Sequence, residues 1–360
     1  MTSNHRSLWS RLRFGSRSRR KRQAAPERGG ALLMVLWLAA ALSAIAFSLA
    51  ASVRAEIEHS STAADGLRAT YLATGAVERG IQWMLWGPDY RLPTGGPRFW
   101  EPNQPRMTMS FPSGDALIEM IPESAKLNIN RASPEQLERL VMAVSNDPAR
   151  SRDITAAILD WRGSAARPDF DQFYLSIRPT FRARHASFQE IEELLLVRGM
   201  TPELFYGNYV PDLEGRLFAT GGLRDCLSVW GSMGPFDING VSPALMAAQG
   251  MTPGAVQAVM ERRRVQPFRN LGEVGARGIS APGMSVGGNV IWTLRATARL
   301  RSPDGRPTEV IRTASATIKL LDRKRVLMPL HVLRWYEDAW SQFAVAPAPV
   351  PGVPVGVFRP

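Results

Sequence analysis

Glu27-Arg28-Gly29-Gly30-Ala31-Leu32-Leu33-Met34-Val35-Leu36-Trp37 is the stretch on which the fold turns. A basic leader ends there, a long apolar run begins, and two glycines stand at the junction. Residues 1–29 hold nine Lys or Arg (Arg6, Arg11, Arg13, Arg17, Arg19, Arg20, Lys21, Arg22, Arg28) against Glu27 alone, a net +8 of the chain's +12. The rest of the 360 residues therefore carries an ordinary charge, and the basic character belongs to the leader rather than to a nucleic-acid surface.

From Ala31 to Val53 run 23 uncharged residues, bounded by Arg28 and Arg54. As a helix they would extend roughly 34 Å, enough for a hydrocarbon core of about 30 Å. The cationic flank holds the N-terminal end in the cytoplasm, so residues beyond Arg54 should lie outside. That compartment favours disulfides, yet Cys226 is the single cysteine, so no internal bridge can form. Three readings of this N-terminus compete: a plain signal anchor, a secretory signal cut near Ser48-Leu49-Ala50, and a prepilin-type leader cut before the apolar run. The run is longer than a signal's apolar region of about 7 to 15 residues. The glycines favour the third reading, because a peptidase working at the membrane face needs a small residue at its cut.

Helical spacing continues past Arg54 through Ile57, Ala64, Leu67, Tyr71, Thr74, Val77, Ile81 and Leu85, with Glu58, Arg68, Glu78 and Gln82 on the other face. The pattern predicts one helix over 30–86, half membrane-embedded and half an amphipathic stem, ended by Gly87-Pro88. Coiled-coil association is the plainest alternative for the stem. A Pro- and Gly-rich loop follows over 87–105, then strands over 107–111 and 116–121 joined by Pro112-Ser113-Gly114-Asp115. Val290, Trp292, Leu294, Ala296, Ala298 and Leu300 alternate with Thr293, Arg295, Thr297 and Arg299, the period of a half-buried strand. Pro303-Asp304-Gly305 turns it toward an antiparallel partner over 309–321, and 330–336 reads as a third strand.

Between these strands the pattern is helical. Leu127-Asn128-Ile129-Asn130-Arg131-Ala132-Ser133-Pro134 is echoed by Phe236-Asp237-Ile238-Asn239-Gly240-Val241-Ser242-Pro243, and Gly199-Met200-Thr201-Pro202 by Gly250-Met251-Thr252-Pro253. In each, Ser or Thr can cap a helix whose first residue is proline, and Ser133 with Gln136 fits a capping box. Helices are expected over 136–144, 153–162, 188–197, 202–206, 243–249 and 253–264, an all-helical insertion with weak internal duplication. The expected organisation is leader 1–29, membrane helix and stem 30–86, loop and first strands 87–125, helical insertion 126–285, remaining strands 286–340, and Pro-rich tail 341–360.

No metalloprotease, phosphate-loop or nucleophile-elbow motif occurs, and His5, His59, His185 and His331 are scattered, so no enzyme is expected. Asp169 with Asp171, Asp237 with Asn239, and Asp304 lie in loops that offer oxygens to a hard cation, but no loop has an EF-hand spacing, and turn or capping aspartates are the better reading. The rival function is nucleic-acid binding. Asn-Ile-Asn-x-Ala-Ser-Pro-Glu-x-Leu is how helix-hairpin-helix DNA-binding modules often begin, and these bind phosphate through a Gly-hydrophobic-Gly hairpin. In Gly199-Met200-Thr201 and Gly250-Met251-Thr252 threonine replaces the second glycine, and its side chain works against the close approach of backbone to phosphate. Arg262-Arg263-Arg264 adds local charge, as a solvated helix end also would.

Taken together, Arg28-Gly29-Gly30-Ala31-Leu32, Leu72-Ala73-Thr74-Gly75-Ala76-Val77-Glu78, Leu127-Asn128-Ile129-Asn130, Ala157-Ile158-Leu159-Asp160-Trp161 and the run from Glu193 to Leu204 resemble the K-type minor pseudopilin of bacterial type II secretion systems (general secretion pathway protein K). The resemblance implies an α+β, type IV pilin-like fold, with a long N-terminal transmembrane helix packed on an antiparallel sheet and a large all-α insertion. It implies an inner-membrane protein with a single span and a periplasmic head, placed after assembly at the pseudopilus tip, where it initiates assembly and aids export across the outer membrane. Its implied partners are the I-, J- and H-type minor pseudopilins, the major pseudopilin and prepilin peptidase. The peptidase would cut between Gly29 and Gly30, with N-methylation of Gly30. At mature position five, where most pilins carry Glu, stands Met34, and a subunit without that carboxylate suits a tip. Family members bind calcium in the sheet domain, so calcium is an open cofactor without an assigned ligand set. The sequence departs from the family after Trp161: Arg162-Gly163-Ser164-Ala165-Ala166-Arg167-Pro168-Asp169-Phe170-Asp171 replaces an Asp-rich loop, and the Pro-rich tail is unexpected. A minor pilin of a type IV pilus is the nearest alternative.

Overall fold

A computed structural model describes residues 30–87, 89–96, 98–101, 104–164, 168–211, 217–321 and 329–341. The leader with Gly29, the loop prolines Pro88, Pro97 and Pro102, the loop residues Ala165, Ala166 and Arg167, and the Pro-rich tail beyond Ser341 lie outside these residues. Helix α1 spans Gly30–Trp86. The chain divides into two units, one ending at Thr62 and one beginning at Ala63. In the first, every described residue is exposed.

In the second unit, five strands form one sheet: β1 (Arg106–Phe111), β2 (Gly114–Pro122), β3 (Ile291–Arg301), β4 (Pro307–Leu320) and β5 (Leu330–Tyr336). Their spatial order is their chain order, and every neighbouring pair is antiparallel. The insertion lies between β2 and β3, whose register pairs Pro122 with Trp292. The chain thus leaves the sheet and re-enters it at one place.

One face of the sheet is apolar. Ala116, Ile118, Met120, Leu294, Ala296, Ala298, Ala314, Ala316 and Ile318 meet Ala69, Leu72, Ala73, Ala76, Val77, Ile81 and Met84 of α1. These α1 residues recur at three- and four-residue steps, so they share one stripe of the helix. The small residues set the distance: a Cβ added at Gly80 would stand 3.0 Å from the Leu294 side chain. The stem is therefore packed on the chain's own sheet from Ala69 to Met84, where a coiled coil would have needed this stripe for a partner helix.

The other face corrects the expectation of a half-buried strand, since Glu119, Arg295, Thr297, Thr313, Ser315 and Thr317 are buried as well. The insertion and the segment after β5 cover them. Arg295 donates to both carboxylate oxygens of Glu119, at 2.7 and 3.1 Å. Thr293 donates to Glu123 at 2.6 Å, and the Thr297 and Thr313 hydroxyls pair at 3.2 Å. The Trp340 carbonyl accepts from Arg295 of the sheet and from Arg224 of the insertion, each at 3.3 Å. Tyr336 and Arg334 both reach Glu190 of the insertion. A buried polar face is tolerated because its groups are hydrogen-bonded or ion-paired.

The insertion is mainly helical: α2 (Pro134–Ser145), α3 (Pro148–Arg162), α4 (Pro168–Ser176), α5 (Pro202–Tyr206), α6 (Pro243–Ala248) and α7 (Pro253–Val265). It is not all-helical, however. Leu127–Asn128 pairs in parallel with Leu227–Ser228, Phe236–Asp237 in parallel with Met284–Ser285, and Gly207–Pro211 with Leu217–Gly221 as a hairpin. The stretch expected as a helix over 188–197 is a 3-10 turn, Ile191–Leu196. Helix α3 begins earlier than expected because Asp147 accepts from the backbone N–H of Ala149 and Arg150, with Pro148 as the first helical residue. Asp147-Pro148 is thus a helix start of the same kind as Ser133-Pro134, where the capping box is complete. Leu137, Leu140, Ile154, Ile158, Trp161, Tyr174, Phe205, Phe236 and Phe268 fill one core.

Candidate functional site: an apolar anchor and a clasped insertion

The anchor is built by composition alone. Gly30 is the first residue of α1, and from it Leu32, Met34, Trp37, Ile45 and Phe47 stand out from the helix on all sides, Met34 at 78% exposure. A helix satisfies its own backbone groups, so an uncharged one can enter lipid without orphaned donors. This is one helix long and apolar enough to cross a membrane. The thioether at position 34 can pack but cannot pair with an amine. The residue before the expected cut, Gly29, lies outside the described residues.

The insertion repeats one device twice. The Asn130 side chain donates to the carbonyl of Phe188 at 2.9 Å and accepts from its N–H at 2.7 Å. Asn239 does the same with Phe268, at 2.9 and 2.8 Å. Arg162, at the end of α3, donates to the carbonyls of Ile129 and Ala132, and Arg263, near the end of α7, to those of Ile238 and Val241. The first echo seen in the sequence is therefore a structural repeat, and each copy is clasped by one Asn and one Arg. The second echo is not: Thr201 caps α5 while Thr252 caps α7, and the residue that turns the chain between α2 and α3, as Gly250 does between α6 and α7, is the left-handed Asn146.

This geometry changes the reading of the basic run. Burial pulls the Arg263 guanidinium down to about 10, against the pull of the nearby Asp237 carboxylate. Arg262 is held by Gln266 at 2.9 Å. Arg263 is therefore committed inside the fold and Arg262 is held at the helix end by Gln266 and Glu273, so the run is not a freely solvated patch. At the first hairpin, Gly199 (φ +84°) faces Ile154, and the Thr201 hydroxyl accepts from Arg150 at 3.0 Å. That hairpin is turned toward its own helix α3.

The aspartates have structural partners. Asp171 meets His185 at 3.0 Å. Asp237 accepts from the Asn239 N–H at 3.1 Å and from the Asn289 side chain at 2.5 Å, and burial raises its carboxyl. Asp304 turns the β3–β4 loop with Ser302 and Arg306. The side chain of Asp169 lies outside the described residues, and among those described no cluster of three metal-ligating groups gathers. Cys226 is buried and its thiol is pushed up to about 12 by burial, so it is inert as a nucleophile. His59 lies in α1, His331 in β5 and His185 in the insertion, on separate elements.

Residues 117–207 match the family model described as type II secretion system (T2SS), protein K. This segment runs from within β2 to the end of the first clasped copy. No curated protein matches the chain. Among solved structures, it is similar to a chain of the GspK-GspI-GspJ complex from the enterotoxigenic Escherichia coli type 2 secretion system. That similarity is 14% identity over 80% of this chain and 99% of the other, with a TM-score of 0.47.

Proposed function

We propose that the chain, whose residues 117–207 match the family model of type II secretion system protein K, serves as the K-type minor pseudopilin at the tip of the pseudopilus. The carrying observation is that this domain is the insertion's first clasped copy, joined directly to a strand of the sheet on which α1 packs. The exposed, uncharged start of α1 supports a membrane-anchored subunit. Its cationic leader supports a cytoplasmic N-terminus and a periplasmic head in the inner membrane.

In this reading, prepilin peptidase cuts between Gly29 and Gly30, and Gly30 is then methylated. A carboxylate at the fifth mature position would be costly in lipid unless paired with the terminal amine of a neighbouring subunit. Met34 makes no such pair, so this chain needs no subunit ahead of it, and I- and J-type minor pseudopilins assemble beside and below it. Calcium is left to the sheet domain without assigned ligands.

Co-purification of the full chain from membranes with I- and J-type partners tests the role. Retention of both is expected, and failure to retain either, alongside tight DNA binding, would overturn it. Intact mass tests the processing: a methylated chain beginning at Gly30 is expected, and one beginning near Ala51 would make it a secreted protein instead.

A further inference from the structure

His185 stands out twice. It is one of two non-glycine residues with positive φ among those described, at +48°, a backbone conformation that L side chains adopt at a cost. Both of its ring nitrogens also face acceptors. Nδ1 lies 3.2 Å from the Asp160 carbonyl at the end of α3, and Nε2 lies 3.0 Å from Asp171 Oδ1 on α4. A neutral imidazole has one N–H to donate, whereas the imidazolium has two. Only the protonated ring satisfies both contacts.

We propose that His185 is a proton-dependent latch: as imidazolium it ties α4 to the end of α3, and on deprotonation it gives up one contact and loosens α4. The helix's other holds are largely aromatic, with Tyr174 buried in the core and Phe181 against it at 5.2 Å. The Tyr174 ring packs edge-on to Trp161 with centroids 5.6 Å apart, and its hydroxyl accepts from the Arg198 N–H at 3.1 Å. The Arg198 guanidinium lies over Phe170 and Phe173 at 5.3 and 5.5 Å. The ionisable groups that act on the ring are Asp171 from α4 and Asp160 from α3; Tyr174 on α4 feels the same two carboxylates, and Arg184, adjacent in the chain, is paired with Glu193 at 3.0 Å. The hydrogen bond to Asp171 is the largest influence on the imidazole and raises its pKa, burial opposes it, and the Asp160 carbonyl adds to the rise. The sign follows: the latch is closed at and below the ordinary histidine range and is lost as pH rises through the raised midpoint.

Selective 13C labelling of the histidine rings in the detergent-solubilised full chain reads each titration, and His185→Gln assigns the signal. Hydrogen exchange over 168–176, corrected for the intrinsic pH dependence of exchange, reads α4. His185 should titrate above the ordinary histidine range. Protection of α4 should fall roughly tenfold or more across that midpoint, the loss expected for one charge-assisted hydrogen bond. Asp171→Asn should move the midpoint down and flatten the change in α4, while protection of α7 stays constant. A His185 signal that titrates within or below the ordinary histidine range, or α4 protection that is flat while His185 loses its proton, would overturn the latch. Neither outcome bears on binding of the I- and J-type partners.

Discussion

The two faces of the sheet are built on opposite plans. Toward α1 the strands present Ala, Ile, Leu and Met, and apolar burial holds the contact, with Arg79 of α1 lying over the Phe111 ring at the edge strand. Toward the insertion the same strands present Thr, Ser, Arg and Glu, equally buried but held by hydrogen bonds and the Glu119–Arg295 pair. The apolar face gains stability from every methylene it hides, and close packing of small residues lets the helix approach. Buried ion pairs gain little on balance, because desolvation offsets attraction, but removing one partner is expensive. The first face therefore resists sliding mainly through fit, whereas on the second the Glu119–Arg295 pair ties β2 to β3 and Glu190 ties the insertion to β5.

That contrast can be broken in four places. Glu119→Ala strands the Arg295 guanidinium and should cost the most, about 4 kcal/mol, in urea unfolding of the solubilised chain followed by tryptophan fluorescence. Replacing both partners with apolar residues should recover most of this loss. Ile118→Ala opens a cavity under α1 and should cost about 3 kcal/mol, with no second-site change on the polar face restoring it. Gly80→Val forces a side chain into Leu294 and should cost about 2 kcal/mol, the price of overpacking. Thr297→Val loses its bond to Thr313 but keeps its volume, and a change below about 1 kcal/mol is expected, smaller still when Thr313→Val accompanies it.

The α1 face was legible in the sequence because helical and strand periods are local. Val77, Ile81 and the even-numbered residues of β3 declare themselves within a dozen positions. The polar face was misread for the same reason. Thr293, Arg295 and Thr297 look like a wet face to any local rule, and what meets that face comes from far away in the chain: the Trp340 carbonyl accepts from Arg295 and also from Arg224 of the insertion, while Glu190 reaches the neighbouring β5. In the insertion, the Ile-Asn echo was visible, but its meaning lay in Phe188 and Phe268. Those residues contribute backbone groups, which leave no sequence signature of their role. Arg263 was hidden in a run of three arginines, where composition suggests solvent and only geometry shows that the middle one turns inward.

The pairing of Pro122 with Trp292 has a consequence for how the protein forms. Contacts between β2 and β3 require closing a loop as long as the whole insertion, and the entropy of that closure falls before any sheet contact repays it. An insertion that has already folded, with its entry and exit brought side by side, shortens that loop to a few residues. Residues 127–285 then prepare the one pairing of the sheet that spans them, β2 with β3, while the other neighbours in the sheet are also neighbours in the chain.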